Sequence, residues 1–306
     1  MLLASRIFRG VISLWVIVTL VFVALRATGD PILAILDPDN TPPEALEAYR
    51  QQWGYTGTIL DQYIAYVRNI ATGDFGFSSM SNRAAYSVVM ERLPATLQLI
   101  AWSTLLMIGI GIPVGAVAAL NAGGRLDRFV MTFSTVGFAM PNFVLGLLLI
   151  LLFSVRMRLL PSNGIGTPQH MIMPVLTIGL SNAAIFTRFV RSSILDALKL
   201  TCITSARARG VSEWVIFWRH VIPNALLPLV TITPLLVGAM VAANAVVETV
   251  FGWPGIGRLI VESVGNRDLA VLQMIVMMIA LVMITTNLVV DLAYARLDPR
   301  TTAAQH

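Results

Sequence analysis

Charge is scarce in this chain. Only 12% of its 306 residues are Asp, Glu, Lys or Arg, against about 25% in an ordinary soluble protein. A chain so poor in charge and 57% hydrophobic cannot cover itself with polar surface. Cysteine is scarcer still: Cys202 alone excludes an internal disulfide and a cysteine-cluster metal site. Histidine is limited to His170, His220 and His306, which argues against a histidine metal centre. Lysine occurs once, at Lys199, preceded by Ala197-Leu198 and not by a glycine-rich turn, so no phosphate-binding loop is present. The net charge of +5 rests on arginines placed between apolar blocks. No polybasic run with interleaved aromatics occurs, which argues against nucleic acid as a partner.

What is abundant is apolar sequence in blocks long enough to cross a hydrocarbon core, about 20 residues each. Lipid is therefore the main solvent, and the expected fold is an all-α membrane protein with about six transmembrane helices. The blocks are Ile7 to Leu25, Ala95 to Leu120, Phe129 to Val155, Met171 to Leu195, Ala225 to Val247 and Leu269 to Ala293. The first, behind Arg6 and Arg9, reads as an uncleaved span because it is long for a signal core and no small-x-small pattern follows Leu25. Pro113, Pro141 and Pro234 should kink their spans. Gly109, Gly111, Gly115, Gly137, Gly146 and Gly238 should let helices approach closely. The division that follows is a first helix at 1–27, an extracytoplasmic segment at 28–93, a membrane domain at 94–293 and a tail at 294–306.

Arginine placement gives an orientation. Arg6, Arg9, Arg125, Arg128, Arg188, Arg191, Arg207, Arg209, Arg219, Arg296 and Arg300, with Lys199, fall on one side. The opposite short loops hold the thinner set Arg156, Arg158, Arg258 and Arg267. The richer side should be cytoplasmic, with both termini. Segment 28–93 carries helical signals of its own. Thr41 and Glu44 have capping-box spacing ahead of a helix from Pro42 to Trp53, with Gly54 at its end. Leu60, Tyr63, Ile64 and Val67 repeat at helical spacing before Gly73. Such a cap either docks a soluble partner or shields the mouth of the bundle.

The most informative stretch runs from Thr204 to Pro228. Ser205, Ala206, Arg207, Ala208 and Arg209 form a helix-compatible run, and Gly210 can close it in the left-handed conformation. Ser212 is a suitable N-cap and Glu213 suits the positive helix end. Trp214, Phe217, Trp218 and Val221 make an apolar face before Pro223 stops the helix. Physics alone leaves two readings open: a projection that fits a groove on another protein, or an interfacial hairpin with both tryptophans at headgroup level.

This stretch resembles the signature loop of binding-protein-dependent ABC importer permeases, Glu-Ala-Ala, three residues, Gly, nine residues, Ile-x-Leu-Pro. Thr204, Ser205 and Ala206 take the first three positions, Gly210 the glycine, and His220, Ile222 and Pro223 the last part. Over nearly its whole length the chain is similar to first permease subunits of the dipeptide, oligopeptide and nickel branch. The marks are Gly29-Asp30-Pro31, Gly73-Asp74-Phe75-Gly76, Arg92-Leu93-Pro94 with Thr96, Pro141-Asn142-Phe143, Arg219-His220 with Asn224-Ala225-Leu226, Glu248 to Phe251 with Trp253-Pro254-Gly255, and Asn287 with Asp291 and Leu297-Asp298-Pro299-Arg300. Thr201, Cys202 and Thr204 stand where the branch usually has Asp, Tyr and Arg, so the loop is less charged.

The resemblance implies a type I ABC importer permease fold and a substrate path shared with a second homologous permease. It implies that the loop is a coupling helix seated in one of two cytoplasmic ATPase subunits, which hold the ATP and magnesium; this chain would bind no cofactor. It also implies an extracytoplasmic solute-binding protein, docked near Asp74, Phe75, Phe251, Trp253 and Pro254, and residence in the bacterial inner membrane. Peptides are the default cargo, with nickel complexes or glutathione as alternatives. Apart from the resemblance, Glu248 and Asp291 at or near span ends could serve a proton relay. With no second buried carboxylate or histidine in a span to relay a proton, Glu248 should instead order the loop bearing Phe251, Trp253 and Pro254, and Asp291 should pair with an arginine such as Arg296. A secondary transporter would need internal repeats and buried coupling-ion ligands. An intramembrane enzyme would need a nucleophile and base, or paired carboxylates, within spans.

Overall fold

The computed structural model describes residues 2–27, 42–52 and 57–297. Among these, the chain is helical apart from an isolated β-bridge between Phe77 and Ala84. The helices are α1 (Leu2–Ala27), α2 (Pro43–Gln52), α3 (Ile59–Ala71), α4 (Ala85–Leu120), α5 (Arg125–Ala139), α6 (Asn142–Leu149), α7 (Gln169–Leu198), α8 (Thr201–Ala208), α9 (Glu213–Ile216), α10 (Ile222–Val250), α11 (Ile256–Gly265) and α12 (Leu269–Leu297). The marks at Gly29-Asp30-Pro31, Thr41, Gly54 and Asp298-Pro299-Arg300, and the side chains of Asn287, Asp291 and Arg296, lie outside what is described.

Helices α4, α7 and the continuous stretch Glu213–Val241 are each long and apolar enough to cross a membrane. Helices α5 and α6, the latter prolonged by a π-helical stretch Ile150–Arg156, qualify as a pair. Helices α1 and α12 contribute the shorter apolar stretches Gly10–Ala24 and Leu269–Thr285. Their outer surfaces are those of a chain in lipid: Phe129 and Phe133 are 66% and 71% exposed, and Trp15 is 56% exposed. Burial of such rings in water would be worth about 1.5–3 kcal/mol each, so their exposure requires an apolar solvent.

The prolines act unequally. Helix α4 runs through Pro113 and α10 through Pro234, whereas the third apolar block is broken at Pro141 by a 97° bend. Proline lacks the N–H for the i−4 carbonyl and pushes the residue before it out of the helical region. Met140 is accordingly extended (φ −80°, ψ 123°), and Pro141 is too at ψ 136°. Two consecutive extended residues turn a kink into a corner.

The described chain divides into two compact units. One comprises the chain as far as Thr96 together with Pro254–Leu288. In it, Thr58 caps α3 reciprocally: its hydroxyl accepts the Asp61 N–H, and its own N–H donates to the Asp61 carboxylate at 2.9 Å. The Thr58 hydroxyl also donates to that carboxylate at 2.6 Å, and this bond with the one from the Thr58 N–H holds the carboxyl below the usual range. Helix α3 leans on α1 through Tyr63, whose hydroxyl bonds that of Thr19 at 2.8 Å, and through the Phe22 ring, 5.3 Å from Tyr63 and Tyr66. Leu60 and Ile64, expected on the packed face, are exposed. Further along, Ala85 and Val89 of α4 pack with Ile256 and Leu259 of α11 and Val271, Met274 and Ile275 of α12. Glycine 255 offers no cap, so the Thr96 hydroxyl accepts the Ile256 N–H instead, at 2.8 Å. Asp268 caps α12 by accepting the Val271 N–H and receives the Ser78 hydroxyl at 2.5 Å, which ties down the loop after α3.

The second unit runs from Leu97 to Trp253, with the chain from Val289 onward. Helix α7 is its centre, packed by α5, α6 and α10. Close approach depends on missing side chains: a Cβ at Gly115 of α4 would fall 2.6 Å from Val190 Cβ and 2.8 Å from the Thr187 carbonyl. Gly111, Gly137 and Gly146 are likewise closely faced, but nothing lies within 4 Å of a Cβ at Gly109 or Gly238. Those two glycines therefore do not serve packing among the described residues.

Candidate functional site

Between α7 and α10 the chain makes an elbow of α8, a turn and α9. Helix α8 ends in both bonds of the glycine-closed cap: Gly210 N–H donates to the Arg207 carbonyl at 2.9 Å, and Val211 N–H to that of Ala206 at 3.2 Å. Gly210 sits at φ +74°, as its place in the sequence predicts, and a Cβ there would touch nothing within 4 Å. The requirement for glycine is thus one of backbone conformation alone. The Arg207 guanidinium spans the corner and grips the Glu213 carboxylate with two bonds, at 2.6 and 3.0 Å. Both partners are well exposed.

Two expectations for the elbow are corrected. Ser212 occupies the N-cap position with extended backbone (ψ 144°), but its hydroxyl makes no cap bond. Pro223 does not stop the second helix. Helix α9 passes through a π-helical stretch Phe217–Val221 into α10 without a break, and the last i→i−5 bond, from the Ile222 N–H to the Phe217 carbonyl, lies immediately before Pro223. The elbow is therefore a short helix set against the end of a long one.

Its residues divide by exposure. Ile203, Ala206, Ile216 and Val221 are fully buried and root the elbow. Thr204, Ser205, Arg207, Ala208, Arg209, Gly210, Ser212, Glu213 and Pro223 are exposed, and His220 is half-buried. Of the first three frame positions, Ala206 is thus an anchor, while Thr204 and Ser205 can meet a partner. Trp214 and Trp218 are 72% and 54% exposed and lie edge to face, 5.6 Å apart.

A brace that no sequence motif marks joins α5 to α7. Asp127, 3% exposed in the first turn of α5, receives the Arg191 guanidinium of α7 at 2.5 and 2.7 Å and the Gly123 N–H at 2.8 Å. Arg191 had counted only toward orientation. An acid between Arg125 and Arg128 was the local signal, but its partner is 64 residues away.

The residues expected to dock a soluble partner do not behave alike. In the first unit, Asp74 is exposed and its carboxylate accepts the Gly76 N–H at 3.0 Å, while Phe75 is half-buried against the α4–α11–α12 cluster. Pro254 is half-buried. In the second, Phe251 and Trp253 are each only 2% exposed. They are corrected to packing residues: Phe251 fills the space over Gly146, and its carbonyl accepts the Gly164 N–H at 2.9 Å. Trp253 N–H closes α10 on the Glu248 carbonyl at 2.8 Å, with Gly252 at φ +59°. Glu248 thus contributes its backbone carbonyl to this loop, and its side chain is fully buried. One turn earlier the buried Asn244 carboxamide has no hydrogen-bond partner among the described residues. Among those residues no group of three or more His, Cys, Asp or Glu gathers in a way that could hold a metal.

Known proteins match this arrangement. Residues 111–303 match the family described as the binding-protein-dependent transport system inner membrane component. The chain is 37% identical over 296 residues, 96% of each chain, to the glutathione transport system permease protein GsiC of Escherichia coli strain K12. It is equally similar to the GsiC protein of Shigella flexneri serotype 5b. Among solved structures, an inward-facing form of the MetNI methionine ABC transporter is similar with a TM-score of 0.60 at 18% identity, covering 69% of this chain and 96% of that one. An amino acid ABC transporter solved with histidines is similar at a TM-score of 0.53 and 20% identity, covering 69% of this chain and 94% of that one.

Proposed function

Because the chain belongs to the family of binding-protein-dependent transport system inner membrane components, we propose that it forms half of the path of an ATP-driven importer for small peptide-like solutes, glutathione and short peptides foremost. Its role as an importer permease follows from the family. The peptide-like cargo rests on 37% identity to glutathione permeases along almost the whole chain. The second half of the path is a homologous permease, and ATP is hydrolysed by two separate subunits. A soluble receptor delivers the cargo from outside, with Asp74, Phe75 and Pro254 offering the surface that remains for it.

The observation that carries the coupling role is the elbow itself. Its exposed α8 face, glycine-closed corner and buried roots coincide with the frame that the family resemblance marks. Arginine is concentrated on the elbow's side of the membrane, which supports a cytoplasmic elbow and cytoplasmic termini. Pulled from native membranes, the chain should bring ATPase subunits and a solute receptor with it, and the reconstituted complex should import glutathione or a short peptide on ATP addition. Import that follows a proton gradient and ignores ATP would sink the proposal.

A further inference from the structure

The two arms of the elbow differ in chemistry as well as length. Helix α8 exposes short polar side chains, Thr201, Thr204 and Ser205, with Arg209. Helix α9 and the π-helical stretch after it expose Trp214, Val215 and Trp218. Large apolar groups on α9 are not isolated, because the same continuous helix goes on to expose Leu226, Leu227, Val230 and Leu235 along its membrane-crossing part. The tryptophans are therefore the end of a surface that the span presents to its apolar surroundings.

Position points the same way. Trp214 and Trp218 lie in the first turns of the stretch Glu213–Val241, which is long and apolar enough to cross a membrane, and the end of a spanning helix meets the headgroup layer. Trp214 leans edge-on against Trp218. Indole rings favour this level, having an apolar body and one polar N–H. Arg219 is exposed beside them and complements anionic phosphates, while the one acid of α9, Glu213, is already neutralised by Arg207.

We propose that Trp214 and Trp218 seat α9, together with the π-helical stretch after it, in the headgroup layer of the bilayer, leaving α8 as the arm that meets the ATPase. On this assignment the corner at Gly210 lies between a lipid-held arm and a protein-held arm. The proposal rests on the coupling reading of the elbow only for the role of α8. A bilayer seat for α9 can hold or fail independently.

The native thiol of Cys202 is exposed on α8, so one nitroxide label can report each arm. The assembled transporter, in nanodiscs of phosphatidylcholine and phosphatidylglycerol, is labelled either at Cys202 or at position 214 in a Trp214→Cys, Cys202→Ser variant. Collision with oxygen and with a water-soluble nickel chelate is then compared before and after the ATPase subunits are stripped off. At 214 the label should meet oxygen at least as readily as nickel, and stripping should change neither rate. At Cys202 nickel collisions should rise several-fold on stripping. Shielding of position 214 by the ATPase, or nickel-dominated collisions there in both states, would overturn the lipid assignment. A Cys202 label indifferent to stripping would overturn the coupling reading and leave the lipid seat intact. As a check free of labels, quenching of tryptophan fluorescence by brominated lipid should fall in a Trp214→Phe, Trp218→Phe variant; unchanged quenching counts against the seat.

Discussion

At the scale of single residues, the elbow is decided by one backbone angle. With φ at +74° and open space around the missing Cβ, Gly210→Ala should cost about 1–2 kcal/mol of local stability, without a clash. Gly210→Asn should cost less, because Asn tolerates the left-handed region. ATP-driven import by the reconstituted complex should therefore fall in the order Gly, Asn, Ala. If Asn and Ala transport alike, space and not conformation limits the corner. A second residue prediction concerns acid. The Asp61 carboxyl is lowered from 3.8 by its bonds from Thr58, so its contribution to α3 is present above that pH and is lost as pH falls through the depressed value. Hydrogen exchange in the first turn of α3, corrected for intrinsic rates, should accelerate there, and Asp61→Asn should abolish the dependence.

Much of this was legible at residue scale because local rules sufficed. Gly210 and Gly73 follow helical runs and both close caps. Ser212 misled because the preference for serine at an N-cap concerns its hydroxyl, and here the backbone alone takes the position. Phe251 and Trp253 misled because a motif shows that an aromatic matters, not whether it faces a partner or a neighbour.

At the scale of elements, the pair of buried Asp127 and part-exposed Arg191 fastens α5 to α7. Removing Arg191 leaves a buried carboxylate uncompensated, a loss that reaches about 3–5 kcal/mol when both partners are buried and is smaller here. Arg191→Met should lower the melting temperature of the purified permease sharply, and adding Asp127→Leu should restore much of it. If the double variant is no more stable than the single one, the pair is not what fastens these helices. Hydropathy located every long helix, since about 20 apolar residues leave few alternatives. It did not reveal α11, a 10-residue amphipathic helix too short to stand out beside Pro254-Gly255. Nor did it give the size of the bend at Pro141. A proline announces a lost bond, but the 97° corner also needs an extended Met140.

At the scale of the whole molecule, Pro254–Leu288 folds with the N-terminal part of the chain. Sequence distance hides this grouping: the Ser78–Asp268 bond joins residues 190 apart. Membership of a transport family was nevertheless readable, because the frame around Gly210 and the marks spread along the chain keep the family's order and spacing. The cargo was not, since no residue pattern in the chain names a solute.

The clasp between Arg207 and Glu213 lies open to water, and the glycine at the corner has open space where a Cβ would stand. Dissolved ions shrink the reach of such an attraction from about 8 Å in physiological medium to about 3 Å at 1 M. The joint should therefore slacken with ionic strength well before the apolar bundle notices. Concentrated salt should make the assembled importer burn ATP with less cargo moved per cycle. Glu213→Gln should show that slippage already in dilute buffer, and an unchanged yield in both would mean that the clasp carries no force.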